Sequence, residues 1–168
     1  MGAREHRNAA GDRPVRCSVV VVSDARTERT DTSGRAAETL LAKGGFALAG
    51  RTLVPNDPAR IRRSVRSALR ESDFVLTIGG TGPGARDVTI ETVRPMLAKE
   101  LPGFGELFRA RSVREVGTAA MLTRALLGVT ASGRVAACVP GSEGAVRLAL
   151  RAILLPELRH LVWNARRR

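Results

Sequence analysis

Two hydrophobic patterns alternate along this chain. Residues 16–22, RCSVVVV, form a β-branched run with no polar alternation, the mark of a strand buried on both faces of a parallel sheet. Asp73–Ile78 is another such buried-strand run, Phe46–Val54 can form a second strand in chain order, and Arg134–Val139 is the last strand. Between them the apolar spacing lengthens to that of helices. In Ala59–Arg70, Ile61, Val65, Ala68 and Leu69 fall at helical spacing, and Arg60, Arg62, Arg63, Arg66 and Arg70 occupy other faces. Ser33 reads as the N-cap of a helix running to Lys43, which Gly44–Gly45 ends. Helices are also predicted over Thr89–Glu100, Phe104–Arg111 and Thr118–Leu127, with Pro102–Gly103 as a break. A long amphipathic helix runs from Gly144 through Leu155 to Asn164, kinked or split at Pro156. Strands alternating with helices imply an α/β fold with a mostly parallel sheet and right-handed crossovers.

Residues 1–14 are polar and punctuated by Gly and Pro, so they are expected to be a disordered tail before a single domain at 15–168. No apolar run approaches the length that spans a bilayer, and the first fourteen residues lack the apolar stretch of a signal peptide. A soluble, cytoplasmic protein is the expectation. Charge narrows the partners. Lys and Arg number 28 against 16 Asp and Glu, a net charge of +12, and only Lys43 and Lys99 are lysines. That excess attracts anions, whether nucleic acid, a membrane surface or a phosphorylated small molecule, although codon bias toward Arg explains it equally well. Four Phe, one Trp and no Tyr leave little for base stacking, so an Arg-rich nucleic-acid-binding domain is an outlying alternative. Cys17 and Cys138 lie in separate apolar runs without CxxC spacing and read as buried small hydrophobes in a reducing compartment. His6 and His160 have no plausible Ser or Cys partner, which leaves a hydrolase triad without support.

In open parallel sheets, ligands sit beyond the carboxyl ends of the strands. Three loops at that edge stand out. The first strand is followed by Ser23-Asp24 and then Asp31-Thr32-Ser33-Gly34; the third by Gly79-Gly80-Thr81-Gly82, running on to Arg86-Asp87; the last by Pro140-Gly141-Ser142. Glycines there let successive backbone N–H groups face one concavity, which binds anions. Ser33 and Ser142 stand at helix starts, where hydroxyl, free N–H groups and dipole converge on a phosphate. Asp87 is placed to hold a divalent cation beside that phosphate, with Arg86 and Arg124 offsetting residual negative charge. Asp24 and Asp31 read equally as loop or cap residues, and Ser142 as an ordinary N-cap. Three such loops on one sheet edge favour a site. No Gly-Lys-[Ser/Thr] follows the glycines, so this is not a P-loop, and the glycine spacing is not that of a dinucleotide fold.

The segments VVVVSD (19–24), DTSG (31–34), TIGGTGPGARDVTIE (77–91), LPGFGELFR (101–109), VGTAAMLTRA (116–125) and VPGS (139–142) together resemble the MoaB/Mog family of molybdenum-cofactor biosynthesis. The likeness runs from about Arg16 to Arg168. Thr89-Ile90-Glu91 and VGTAAML look most like the archaeal-type MoaB branch. The resemblance implies a three-layer α/β/α molybdopterin-binding fold assembling as a homotrimer, or as a hexamer of two trimers. It implies transfer of AMP from Mg-ATP to the terminal phosphate of molybdopterin, releasing pyrophosphate. The acceptor phosphate is already anionic near neutral pH, so the reaction needs positioning and charge neutralisation rather than a strong base.

By motif, the resemblance gives Asp87 a catalytic role and the Mg²⁺. Gly79, Gly80, Thr81 and Gly82 cradle the nucleotide phosphates. Molybdopterin is bound by Ser23, Asp24, Asp31, Ser33, Gly34, Thr123, Arg124, Pro140, Gly141 and Ser142. Glu91 either supports the glycine loop or is an exposed first-turn residue. Adenylyltransferases of the family usually carry an acid directly after the Pro that ends the second strand. Here Asn56 takes that place, with Asp57 next as the candidate second carboxylate. A non-catalytic molybdopterin-binding oligomer of the same family is therefore the alternative.

Overall fold

One sheet organises the described residues, which are Gly11 and residues 13–167 of the computed structural model; most of the expected N-terminal tail lies outside them. Its strands are β1 (Arg16–Val22), β2 (Ala47–Val54), β3 (Phe74–Ile78), β4 (Lys99–Glu100), β5 (Leu126–Val129) and β6 (Val135–Val139). Their order across the sheet is β2-β1-β3-β6-β5-β4. The β2-β1-β3-β6 pairings are parallel, and β5 and β4 extend the sheet by antiparallel pairing. The three interior parallel strands are the ones without polar alternation, and all of β3 and β6 is buried. β2, at the edge, is half exposed.

Side-chain alternation along each strand feeds two cores. Cys17, Val19 and Val21 point to one face, under α1 (Thr32–Lys43), α4 (Pro102–Val116), α5 (Glu143–Ala149) and α6 (Leu155–Arg166). Val20, Val22, Val75 and Ala136 point to the other, under Ile61 and Val65 of α2 (Pro58–Glu71) and Ile90 and Val93 of α3 (Thr89–Val93). The result is a three-layer α/β/α arrangement with a six-stranded, mostly parallel sheet.

Four segments differ from the sequence reading. The helix expected over Thr89–Glu100 stops at Val93. Pro95 lacks the N–H that would continue it, and after a 3₁₀ turn Lys99–Glu100 joins the sheet edge opposite Val129 and Gly128. Phe104–Arg111 is the middle of a longer helix that Pro102 opens, since the first turn needs no donor at that position. Thr118–Leu127 is not a helix. Gly117, at φ +58°, ends α4, a 3₁₀ turn covers Gly117–Leu122, and Leu126 and Leu127 enter β5 with one side chain in each core. Asp31 rather than Ser33 caps α1, accepting from the Gly34 N–H at 2.8 Å. The C-terminal helix is split as expected. A π-helical turn, Leu150–Leu154, precedes Pro156 in the first turn of α6.

Candidate functional site

β3 ends at Ile78 and the chain turns at once. Gly79 and Gly80 take φ values of +96° and +62°, in the region that side chains disfavour. A Cβ on Gly79 would lie 2.4 Å from the Val22 carbonyl oxygen, and one on Gly80 would lie 2.4 Å from Thr89 Oγ1 and 2.6 Å from Asn56 Oδ1. The bare backbone therefore presses against the ends of the neighbouring strands. The Gly79 N–H donates to the Val139 carbonyl at 2.9 Å, and Thr89 closes the loop, its N–H donating to Gly80 O at 2.9 Å and its hydroxyl to Gly79 O at 2.8 Å. The loop after β6 packs on the same spot, with the Cβ direction of Gly141 pointing at Gly79 Cα, 3.4 Å away.

Arg124 clamps the rest of the loop. Its Nε donates to Thr81 O at 2.8 Å, and Nη2 donates to Gly82 O at 2.7 Å and to Asp87 O at 3.2 Å. Nη1 pairs with Glu91, whose carboxyl is held below its ordinary pKa by the hydrogen bond from Arg124. Glu91 is an exposed first-turn residue of α3 that also pairs with Arg124, and Arg124 spends its other donors on loop carbonyls. The Asp87 carboxylate accepts from the Gly84 N–H at 3.1 Å and stands within 2.8 Å of the Cβ directions of Gly82 and Gly84. Any side chain at those two positions would displace it.

The first loop is anchored from below. Asp31 and Ser33 are fully buried. Asp31 accepts from Gly34 N and from Ser33 Oγ, and its other oxygen takes Arg51 Nη1 at 2.7 Å. Gly34 lets that carboxylate come close, since a Cβ there would meet Asp31 Oδ2 and, at 2.7 Å, Arg51 Cδ. The DTSG segment is therefore a foundation, and it presents Arg26 to the cavity. Arg26 Nη1 bonds Ser33 Oγ and Nη2 donates to Gly141 O at 2.9 Å, which ties the loop after β1 to the loop after β6. Ser23 turns the chain, its Oγ accepting from the Ala25 and Arg26 N–H groups. Asp24 accepts from the Asn56 N–H at 2.8 Å and joins the ends of β1 and β2. Ser142 caps α5, accepting from Ala145 N at 3.1 Å.

Between these loops lies a cavity of about 340 Å³. Its wall holds Ser23 and Arg26 from the first loop, Gly79 to Gly82 and Asp87 from the second, Leu122 to Arg124, and Pro140-Gly141 from the third. Asp24, Asp31, Ser33, Gly34, Asn56, Glu91 and Ser142 are not part of that wall; Asp31, Ser33 and Gly34 are buried, and Asp24, Glu91 and Ser142 are exposed. Asp57 does not join it. It caps α2 by accepting from Arg60 N at 2.8 Å and lines a separate groove of about 730 Å³ between β2 and α2. The one-residue shift to 57 carries the side chain to the other side of the loop. Beside the cavity, Asn56 Oδ1 is buried against Gly80 without a hydrogen-bond partner among the described residues. Arg26 and Leu122 were missed by sequence reasoning. Arg26 carried one usable signal, its place in a loop directly after a strand.

The cavity combines a glycine loop, two guanidinium groups and one carboxylate, a set suited to phosphate esters. Residues 18–160 match the model of the "Probable molybdopterin binding domain" family. The chain belongs to this molybdenum-cofactor biosynthesis family. It is similar to "Molybdenum cofactor biosynthesis protein B" of Bacillus subtilis, with 43% identity over 170 residues covering 99% of each chain. A protein of the same description from Staphylococcus carnosus is 44% identical over 96% of this chain and 97% of its own. Among solved structures, a molybdenum cofactor biosynthesis protein B matches with a TM-score of 0.88 and 43% identity, covering 94% of this chain and 99% of the other. The tungsten cofactor synthesizing protein MoaB of Pyrococcus furiosus matches with 0.84 and 36%, covering 92% and 99%. Both structures share the sheet and helices described above.

Proposed function

We propose that the chain transfers AMP from Mg-ATP to the terminal phosphate of molybdopterin, giving adenylyl-molybdopterin and pyrophosphate. The observation that carries this reading is the glycine loop fixed by Arg124 and Thr89 with the Asp87 carboxylate at its mouth. Polyphosphate would lie against the Gly80–Gly82 N–H groups, since the Gly79 N–H is bonded to Val139 O, and Arg26 would meet negative charge from the opposite wall. Asp87 is the one acid among the described wall residues, which fits Mg²⁺ arriving on the nucleotide, since this ion usually takes one or two carboxylates plus substrate phosphates. Bound there, the ion would neutralise charge on the phosphates. The chain's own contribution is to hold two polyanions in register, and the site needs no strong base.

Incubation of the protein with molybdopterin, ATP and Mg²⁺, followed by mass analysis, tests the reading. Product is expected, with a fall of about 10²-fold or more for Asp87→Asn, the scale of losing one key group in a preorganised site. Product formation by that variant at the parent rate would refute the assignment.

A second reading has its own observation. Asn56, its Oδ1 buried against Gly80, stands where adenylyltransferases of the family usually carry an acid, and Asp57 faces the other groove. A molybdopterin-binding protein without transfer activity would bind the pterin and leave ATP unchanged. A gain of transfer on Asn56→Asp would show a pocket short of one carboxylate. We also propose a homo-oligomer, a trimer or a hexamer of two trimers. Val113, Val116, Met121 and Leu122 form an exposed apolar run, with Met121 79% exposed. Sedimentation equilibrium tests it, and a monomer would overturn it. The two buried free thiols suit a reducing, cytoplasmic setting.

A further inference from the structure

The opposite edge of the sheet carries a second concentration of donors. Because β2 and β3 are parallel neighbours of β1, α2 must cross back over the sheet, which places its C-terminal residues Arg66 and Arg70 at the amino edge. The β5–β6 turn, residues 130–134, lies at the same edge. Arg66, Leu69, Arg70, Met96, Thr130 and Ser132 line a cavity of about 320 Å³ there. Neither arginine has a hydrogen-bond or ion-pair partner among the described residues. They stand one helical turn apart on α2, so their like charges repel.

The hydroxyls complete the set. Thr130 Oγ1 accepts from the Arg134 N–H at 3.0 Å and shares one hydrogen bond of 3.0 Å with Ser132 Oγ. That contact uses one of the two hydroxyl protons, whichever side donates, and leaves the other free to point outward. The wall therefore offers two guanidinium groups and a hydroxyl donor beside apolar Leu69 and Met96, with no carboxylate among the described residues. The larger groove between β2 and α2 is different, because Asp57 and Glu71 there offset Arg60 and Arg63.

We propose that this cavity is a second anion site, separate from the glycine-loop cavity, that takes the phosphoryl group of a small metabolite. A volume near the lower end of small-molecule sites suits a compact phosphate or diphosphate group. No aromatic side chain stands among the described wall residues to stack a base, so the phosphoryl group is the part recognised.

Titration of the full chain with inorganic pyrophosphate, and separately with inorganic phosphate, at about 0.15 M salt tests it, with backbone amide resonances as the readout. Saturable shifts are expected at residues 130–133. Binding at Gly79–Gly82 would be read from its own amides and kept apart. The double variant Arg66→Gln/Arg70→Gln should weaken the 130–133 response by about tenfold or more, as expected for lost charge-assisted bonds. Arg62→Gln removes the same charge from the same helix outside the cavity and should leave the response within about twofold. No saturable shift at 130–133, or an equal loss in Arg62→Gln, would overturn the proposal. A response to vesicles containing anionic phospholipid without one to either free anion would overturn the small-metabolite assignment.

Discussion

Arg124 is assigned here to holding the glycine loop, and Arg124→Lys tests that assignment while keeping the charge. A single ammonium on a flexible stem cannot reproduce a planar fork that reaches the carbonyls of Thr81, Gly82 and Asp87 and the carboxylate of Glu91 together. A charged donor to a carbonyl contributes about 1.5–3 kcal/mol when dry. The Arg124 side chain is 35% exposed, and water replaces part of each lost bond, so about 1 kcal/mol per bond is the better figure. Losing two of the three carbonyl bonds then favours loop opening by about 2 kcal/mol, or roughly 30-fold. Amide hydrogen exchange reads this directly. The Asp87 and Thr89 N–H groups, which bond Gly84 O and Gly80 O inside the loop, should exchange about 30-fold faster, and the amides of β3 should be unchanged. Exchange within about twofold of the parent at both loop amides would show that Arg124 does not order the loop.

Three further outcomes follow from the same geometry. Asp31→Asn keeps a capping oxygen but leaves Arg51 and Arg26 facing a neutral group in a fully buried position; a loss of about 2–3 kcal/mol in urea unfolding is expected, and one below about 0.5 kcal/mol would contradict the pairing. Burial pushes both Cys17 and Cys138 up to about 12, so neither thiol should react with a disulfide reagent at about pH 8 until the chain is unfolded. Glu91 is held below its ordinary value of 4.5, so its pairing with Arg124 is complete above that value and is lost as pH falls through the lowered one. The Tm difference between the parent and Glu91→Gln should therefore be present at neutral pH and vanish in acid; a difference that persists unchanged in acid would exclude the ion pair as its source.

The central strands, the helices that cross between them and the loops that carry the site are legible in the order of residues alone. Runs such as RCSVVVV and RVAACVP are legible because a strand buried on both faces has no polar position to alternate with. The glycine loop was legible because Gly79 and Gly80 stand where the chain must turn against the carbonyl of Val22. The far edge of the sheet was not. Lys99–Glu100 and Leu126–Val129 are too short to show a period, and pairing with β6 decides their form. Side-chain roles within the site were also decided in three dimensions. Asp31 and Asp57 look alike in the sequence, each polar and just ahead of a helix, yet Asp31 is buried against Arg51 and Asp57 opens onto another groove. Arg26 and Arg124 meet the cavity from loops nearly a hundred residues apart in the chain, and only the packing of those loops at the carboxyl edge gives the two arginines partners. Local physics sets which segments become strands and turns, whereas the partners of a charge depend on what the fold brings beside it.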